Sequence, residues 1–205
     1  MDATDTIFAL SSAPGRAGIA VIRLSGPDAG AALQRLTGSP LPPPRRAALR
    51  TFLAPDGNGP IDRGLALWLP GPASFSGEDM AELHVHGGRA VPAAMLEALA
   101  AVRGLRLAEP GEFSRRAFEN GRLDLTAVEG IADLIAAETE AQRRQALRQL
   151  SGELGRVYED WRGRLMRVLA HVEAAIDFPE EGLLLDFIDR VAAEIGRISA
   201  EIRLL

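Results

Sequence analysis

The 205-residue chain contains no cysteine and no lysine. The first absence excludes disulfides, thiolate nucleophiles and thiolate metal sites within these residues. The second excludes Schiff-base catalysis and the lysine that a Walker A loop places on its phosphates, because all 23 basic residues are arginine. A GC-rich coding sequence is the plain explanation of the lysine gap, and the chemical exclusion holds whatever its origin. Long apolar runs are also missing, and none approaches the roughly eighteen residues of a membrane-spanning helix. The start, Met1-Asp2-Ala3-Thr4-Asp5, is acidic where a secretory signal is basic and then apolar. Together these features predict a cytoplasmic protein with no membrane contact. What remains is ordinary globular composition, 47% apolar and 25% charged, in a chain long enough for one large domain or two small ones.

Punctuation divides the chain. Twelve of the 13 prolines and 15 of the 21 glycines lie at or before residue 122, and such a shift marks a domain boundary. We place it so that residues 1–120 form an α+β domain and residues 121–205 a partial helical bundle. In the first part, strands are expected at Thr6 to Leu10, Ile19 to Leu24, Met80 to His86 and Leu105 to Ala108. A hairpin is expected from Ala48 to Leu53 and Arg63 to Leu69, and helices over Pro27 to Leu36, Val91 to Val102 and Glu112 to Glu119. This is a mixed sheet with helices. In the second part, Leu147, Leu150, Leu154, Val157, Trp161, Leu165, Val168, Val172 and Ile176 follow at steps of three or four. That spacing predicts one continuous helix of about thirty residues stopped by Pro179. An earlier helix opens at Thr126, where Thr126 and Glu129 have capping-box spacing. A last helix from about Leu185 carries Phe187, Ile188, Val191, Ile195, Ile198 and Ile202 on one face, which makes three helices. The chain ends inside that pattern without a cap, as a fragment or an interrupted domain would.

Residues 1–122 hold 13 arginines and 12 acids, whereas residues 123–205 hold 10 arginines and 16 acids. No basic face of the kind that grips nucleic acid stands out. Chemistry-bearing residues concentrate instead in two segments, Ser76-Gly77-Glu78-Asp79-Met80-Ala81-Glu82-Leu83-His84-Val85-His86-Gly87-Gly88 and Glu109-Pro110-Gly111-Glu112-Phe113-Ser114-Arg115-Arg116-Ala117-Phe118. On a strand, Glu82, His84 and His86 share one face. They are open to three readings: a three-ligand metal site, a ligand pocket with Glu82 as paired acceptor, or a half-exposed strand whose histidines pack. The adjacent Gly87-Gly88 permits close approach of a ligand or of backbone. Arg23, inside the apolar strand Ile19-Ala20-Val21-Ile22-Arg23-Leu24, either reaches the rim or meets an anion. Arg122, after Asn120-Gly121, reads by itself as a surface arginine near a helix C-terminus. The turn Pro14-Gly15-Arg16-Ala17-Gly18 has neither Walker nor dinucleotide spacing.

These segments, with Ala13-Pro14-Gly15-Arg16, Ile22-Arg23-Leu24-Ser25-Gly26, Gly121-Arg122-Leu123-Asp124-Leu125 and Ala174-Ala175-Ile176-Asp177-Phe178-Pro179, resemble the MnmE (TrmE) family. Its members are GTPases that modify the wobble uridine of certain tRNAs. The resemblance covers most of the first 180 residues or so. It implies an amino-terminal domain with the tetrahydrofolate-binding fold of aminomethyltransferases, which binds 5-formyltetrahydrofolate and forms a homodimer. It also implies the first part of a helical domain into which a GTPase domain is inserted. Carried over position by position, the folate contacts fall on Arg23, Glu82 and Arg122, the last usually lysine in the family. The resemblance implies an FAD-dependent partner, MnmG, with tRNA as substrate of the assembled complex. GTP, Mg2+ and K+ belong to the GTPase domain. With no Walker A loop and no cysteine motif, these 205 residues are expected neither to hydrolyse GTP nor to perform the cysteine-dependent step.

Overall fold

The computed structural model describes residues 5–55, 57, 59–177 and 184–204, with side chains given for all of these but 184–188. It divides into two compact units, residues 1–123 and 124–205.

Among the described residues the first unit is a six-stranded mixed sheet with three helices, an α+β architecture. Its strands are β1 (Thr6–Leu10), β2 (Ile19–Ser25), β3 (Ala48–Leu53), β4 (Pro60–Leu69), β5 (Met80–His86) and β6 (Leu105–Leu107). They lie in the order β3-β4-β5-β2-β1-β6, and only the β1–β6 pair is parallel. Alternation decides which face is covered. Ala20, Ile22 and Leu24 of β2, with Ala81, Leu83 and Val85 of β5, are buried in one cluster with Phe8, Phe52, Ala66 and Trp68. Helices α1 (Ala29–Thr37) and α2 (Ala90–Ala100) supply Ala32, Leu33, Leu36, Met95, Ala98 and Leu99 to the same cluster. At about 25 cal/mol per Å2 of apolar surface, this interdigitated layer is the main stabilising term. Gly38, in the left-handed region at φ 58°, ends α1.

The intervening residues Val21, Arg23, Glu82 and His84 are only half-buried, because they stand on the opposite face of the sheet. Helix α3 (Glu112–Glu119) and the loop over residues 70–79 are tied to the end of that face by side-chain hydrogen bonds.

The second unit holds four helices among the described residues: α4 (Leu125–Ala136), α5 (Glu140–Leu150), α6 (Glu153–Asp177) and α7 (Leu184–Leu204). The expected continuous helix is therefore broken at Ser151-Gly152. Gly152 has φ 76°, and its N–H donates to the Gln149 carbonyl at 2.9 Å, a left-handed helix end that the three-and-four spacing runs straight through. Asp124, not Thr126, caps α4. Its carboxylate accepts from the Ala127 N–H at 2.8 Å, and Thr126 donates its hydroxyl to the same carboxylate. The capping box occurs instead at Thr139 and Gln142, at the start of α5. The expected helix stop at Pro179 and the placement of Phe187 and Ile188 fall outside the described residues and side chains. Trp161 of α6 donates its indole N–H to Glu201 of α7 at 2.7 Å, and Arg164 joins Glu194 and Glu201. Many large apolar side chains of this unit remain exposed, among them Leu165, Met166, Leu169, Ile176 and Ile195.

Candidate functional site

The antiparallel register of β2 on β5 places Arg23 directly opposite Glu82, Val21 opposite His84 and Ile19 opposite His86. Two of the three expected site residues are thereby brought together from positions 59 apart in sequence. Arg23 donates Nε–H and Nη2–H to one carboxylate oxygen, Glu82 Oε1, at 3.0 and 2.8 Å. Among the described residues the other oxygen, Oε2, faces only the His84 ring nitrogen, at 3.4 Å. A carboxylate has about four acceptor positions, so Glu82 keeps acceptor capacity on Oε2. Nη1 of Arg23 has no partner among the described residues. Both side chains are partly open to solvent, at 28% for Arg23 and 18% for Glu82. A desolvated but accessible acceptor beside an accessible cation can take a ligand that carries N–H donors and an anionic group.

Two aromatic rings approach the Arg23 guanidinium. The Arg23 guanidinium carbon lies 5.4 Å from the Phe75 ring centre and 5.9 Å from that of Phe113, both within cation–π range. Composition and periodicity do not single these residues out. Phe75 sits in an irregular loop and Phe113 on the first turn of α3, so each depends on tertiary folding to meet Arg23.

Arg122 is not part of this contact. It is exposed just beyond α3, its backbone N–H donates to the Ala117 carbonyl at 2.8 Å, and its guanidinium makes no ion pair among the described residues. Its aliphatic stem passes beside Gly77, where an added Cβ would stand 3.1 Å from Arg122 Cγ. Arg122 thus packs its stem against the loop that carries Phe75.

The three-ligand arrangement of Glu82, His84 and His86 does not form. Strand residues i and i+4 are about 13 Å apart at roughly 3.3 Å per residue. His86 turns to a different partner, with its ring Nδ1 2.8 Å from Asp62 Oδ1 and its backbone N–H donating to Oδ2 at 2.8 Å. Burial alone would raise the Asp62 carboxyl, but the hydrogen bonds from His86 hold it below the usual carboxylate range. Among the described residues no group of three histidine or carboxylate side chains is placed to hold a metal. Gly87 serves backbone rather than ligand, since an added Cβ would lie 2.5 Å from the Ala17 carbonyl oxygen of the turn that packs on it.

Beside the two rings lies a charge network whose centre, Glu112 and Arg116, is buried. Glu112, 1% exposed, accepts from Arg106 and from Arg116. Arg116 reaches on to Asp5 at 2.7 Å and Glu78 at 3.2 Å, and Glu78 accepts from the Ser25 hydroxyl at 2.7 Å. The Arg106 hydrogen bonds hold the Glu112 carboxyl at about 2, well below its ordinary 4.5. Burial pushes Asp5 up, but hydrogen bonds from Arg106 and Arg116 outweigh it and leave the group lowered. The fold, not the spacing along the helix, makes Glu112 and Arg116 interior.

The helical unit carries a separate open groove of about 620 Å3, lined by Val157, Trp161 and Leu204 together with charged residues of α6 and α7. None of the expected site residues lines it. Among the described residues no helix is long and apolar enough to cross a membrane.

Comparison with known proteins identifies both units. Residues 6–122 match the family model described as GTP-binding protein TrmE N-terminus, and residues 125–205 match that of the MnmE helical domain. The chain is 62% identical over 198 residues to the tRNA modification GTPase MnmE of Parvibaculum lavamentivorans, covering 97% of this chain and 45% of that protein. It is 56% identical over 199 residues to the protein of the same name from Phenylobacterium zucineum, covering 97% and 44%. Over 177 residues it is 62% identical to the human mitochondrial 5-taurinomethyluridine-[tRNA] synthase subunit GTPB3, covering 86% and 36%. The chain spans less than half the length of these relatives.

Proposed function

The chain belongs to the MnmE (TrmE) family, and from that premise we propose that it is the folate-binding, dimerising amino-terminal module of a tRNA-modifying GTPase, with the first part of its helical domain. The observation that carries the folate reading is the half-buried Arg23–Glu82 pair, with two rings near the guanidinium and with Oε2 and Nη1 still available. The donor set fits a reduced pterin. Neighbouring N–H groups of the ring suit a carboxylate acceptor such as Glu82, and the anionic tail of 5-formyltetrahydrofolate suits the arginines Arg23 and Arg122. Bound there, the folate would supply the one-carbon unit for the C5 substituent of the wobble uridine. In the intact protein, GTP with Mg2+ and K+ would act in a GTPase domain, and MnmG would contribute FAD chemistry to a tRNA held by the complex, in the cytoplasm.

The homodimer has its own support. Ile19 at 62%, Leu49 at 52% and Leu65 at 40% exposure stand on strands of one sheet, with Leu49 paired to Leu65 across β3 and β4. Exposed apolar side chains grouped on a sheet mark an association surface. That feature alone would also suit an assembly module that binds no cofactor. Titration calorimetry of the chain with 5-formyltetrahydrofolate, run beside analytical ultracentrifugation, separates the two. Saturable binding near one per protomer supports the folate reading, whereas a dimer that gives no binding heat and no competition with labelled ligand overturns it.

A further inference from the structure

Arginine is a long, flexible side chain, and a half-exposed ion pair fixes it poorly. Arg23 nevertheless has three neighbours that restrain it, Glu82 across the strand pair and the Phe75 and Phe113 rings, 5.4 and 5.9 Å from its guanidinium carbon. The rings are themselves anchored through their immediate chain neighbours. Ser76, next to Phe75, meets the Ser25 hydroxyl at 2.6 Å, and its carbonyl accepts from the Asn120 side chain at 2.8 Å. Glu112, next to Phe113, accepts from Arg116 at 3.1 Å, and Arg116 continues to Glu78 of the same loop. The loop and the first turn of α3 are thus cross-braced by buried polar groups, with one aromatic ring leaving from each. Two of the three guanidinium nitrogens are used on Glu82, and the third, Nη1, remains free of protein partners among the described residues.

We propose that Phe75 and Phe113 are positioning residues, a pair of rings that hold the Arg23 guanidinium against Glu82 so that Nη1 is kept for an acceptor oxygen of the folate. The inference rests on the folate reading of the same site. A preset arginine spares the ligand the ordering of a mobile side chain, which is the general origin of affinity gained by preorganisation. Leucine at either position keeps apolar bulk but removes the negative ring face that attracts the cation.

The test compares Phe75→Leu and Phe113→Leu with Phe75→Tyr and Phe113→Tyr, using calorimetry with 5-formyltetrahydrofolate and the Arg23 Nε–Hε resonance of the ligand-free protein. Each leucine variant is expected to bind about threefold to thirtyfold more weakly, as loss of a cation–π contact implies. Each tyrosine variant is expected to stay within about twofold of wild type, since the ring face is retained. Without ligand, the Arg23 Hε signal is expected upfield through ring currents and moves downfield in the leucine variants. Leucine variants that bind like wild type, or tyrosine variants that lose as much as leucine, overturn the proposal. An Arg23 signal unmoved by leucine overturns it as well. If the wild type ignores folate, the folate reading fails separately, and the resonance still decides whether the rings hold Arg23.

Discussion

Replacing Glu82 with alanine removes one side chain from three relationships at once. The carboxylate accepts two N–H groups from Arg23 on Oε1, faces His84 through Oε2, and under the proposed function takes paired donors from the pterin. Stability should change little, because an ion pair whose arginine is 28% exposed is worth about 1 kcal/mol or less. Ligand affinity should change much more. Hydrogen bonds to a charged acceptor contribute about 1.5–3 kcal/mol each, and alanine removes the acceptor while also freeing Arg23 to hydrate. A loss of about 2 kcal/mol or more is expected, roughly thirtyfold in Kd. Calorimetry with 5-formyltetrahydrofolate reads the affinity, and thermal unfolding of the same sample confirms that the fold is kept. A folded Glu82→Ala protein that binds within about twofold of wild type refutes the assignment. Repeating the substitution in an Arg23→Leu background separates direct from indirect action, because a Glu82 that works only through Arg23 would then have no further effect.

Three further outcomes follow from the packing. The Glu112 carboxyl is held at about 2 in the folded protein against an ordinary 4.5, so its stabilising contribution is complete above about pH 4.5 and is lost as pH falls towards 2. Acid unfolding followed by circular dichroism should show on the order of 3 kcal/mol of this loss in wild type and a flatter profile in Glu112→Gln, and equal profiles would contradict the buried network. Gly64→Ala would set a Cβ 2.0 Å from the His84 carbonyl oxygen, forcing β4 away from β5 at a cost of about 3 kcal/mol, visible as a melting temperature lower by roughly 10 °C. Gly152→Ala should cost about 1 kcal/mol in chemical denaturation, because a non-glycine residue resists φ 76°, whereas unchanged stability would mean that α5 and α6 run on as one helix.

Much of the fold was legible where one physical pattern governs a whole element. Strand β5 occupies Met80 to His86 as expected, because apolar residues alternate with Glu82, His84 and His86 and only one face can meet the core. Helix α1 ends beside Gly38 for the reason a left-handed residue ends any helix. The pattern failed where two elements share a rhythm. Leu147, Leu150, Leu154 and Val157 keep helical spacing across Ser151-Gly152, and the glycine followed by an acidic Glu153 was the overlooked signal of a cap and a new first turn.

The candidate site divides in the same way. Arg23 and Glu82 are candidates from sequence alone, but their pairing depends on a register between residues 59 positions apart, which no local pattern encodes. Phe75 lies outside the two segments, and Phe113, Glu78, Glu112 and Arg116 lie within them without an assigned role, because loop aromatics and helix charges acquire one only through tertiary contacts. Arg122 stands apart from that pair, its stem packed beside Gly77 of the loop that carries Phe75.

The most direct measurement is a titration of isotopically labelled wild-type chain with 5-formyltetrahydrofolate, mapping which resonances move. The account predicts saturable shifts centred on Arg23, Glu82, Phe75 and Phe113, with the helical unit unaffected. Saturable shifts elsewhere with these four residues silent, or no shifts at millimolar ligand, would contradict it.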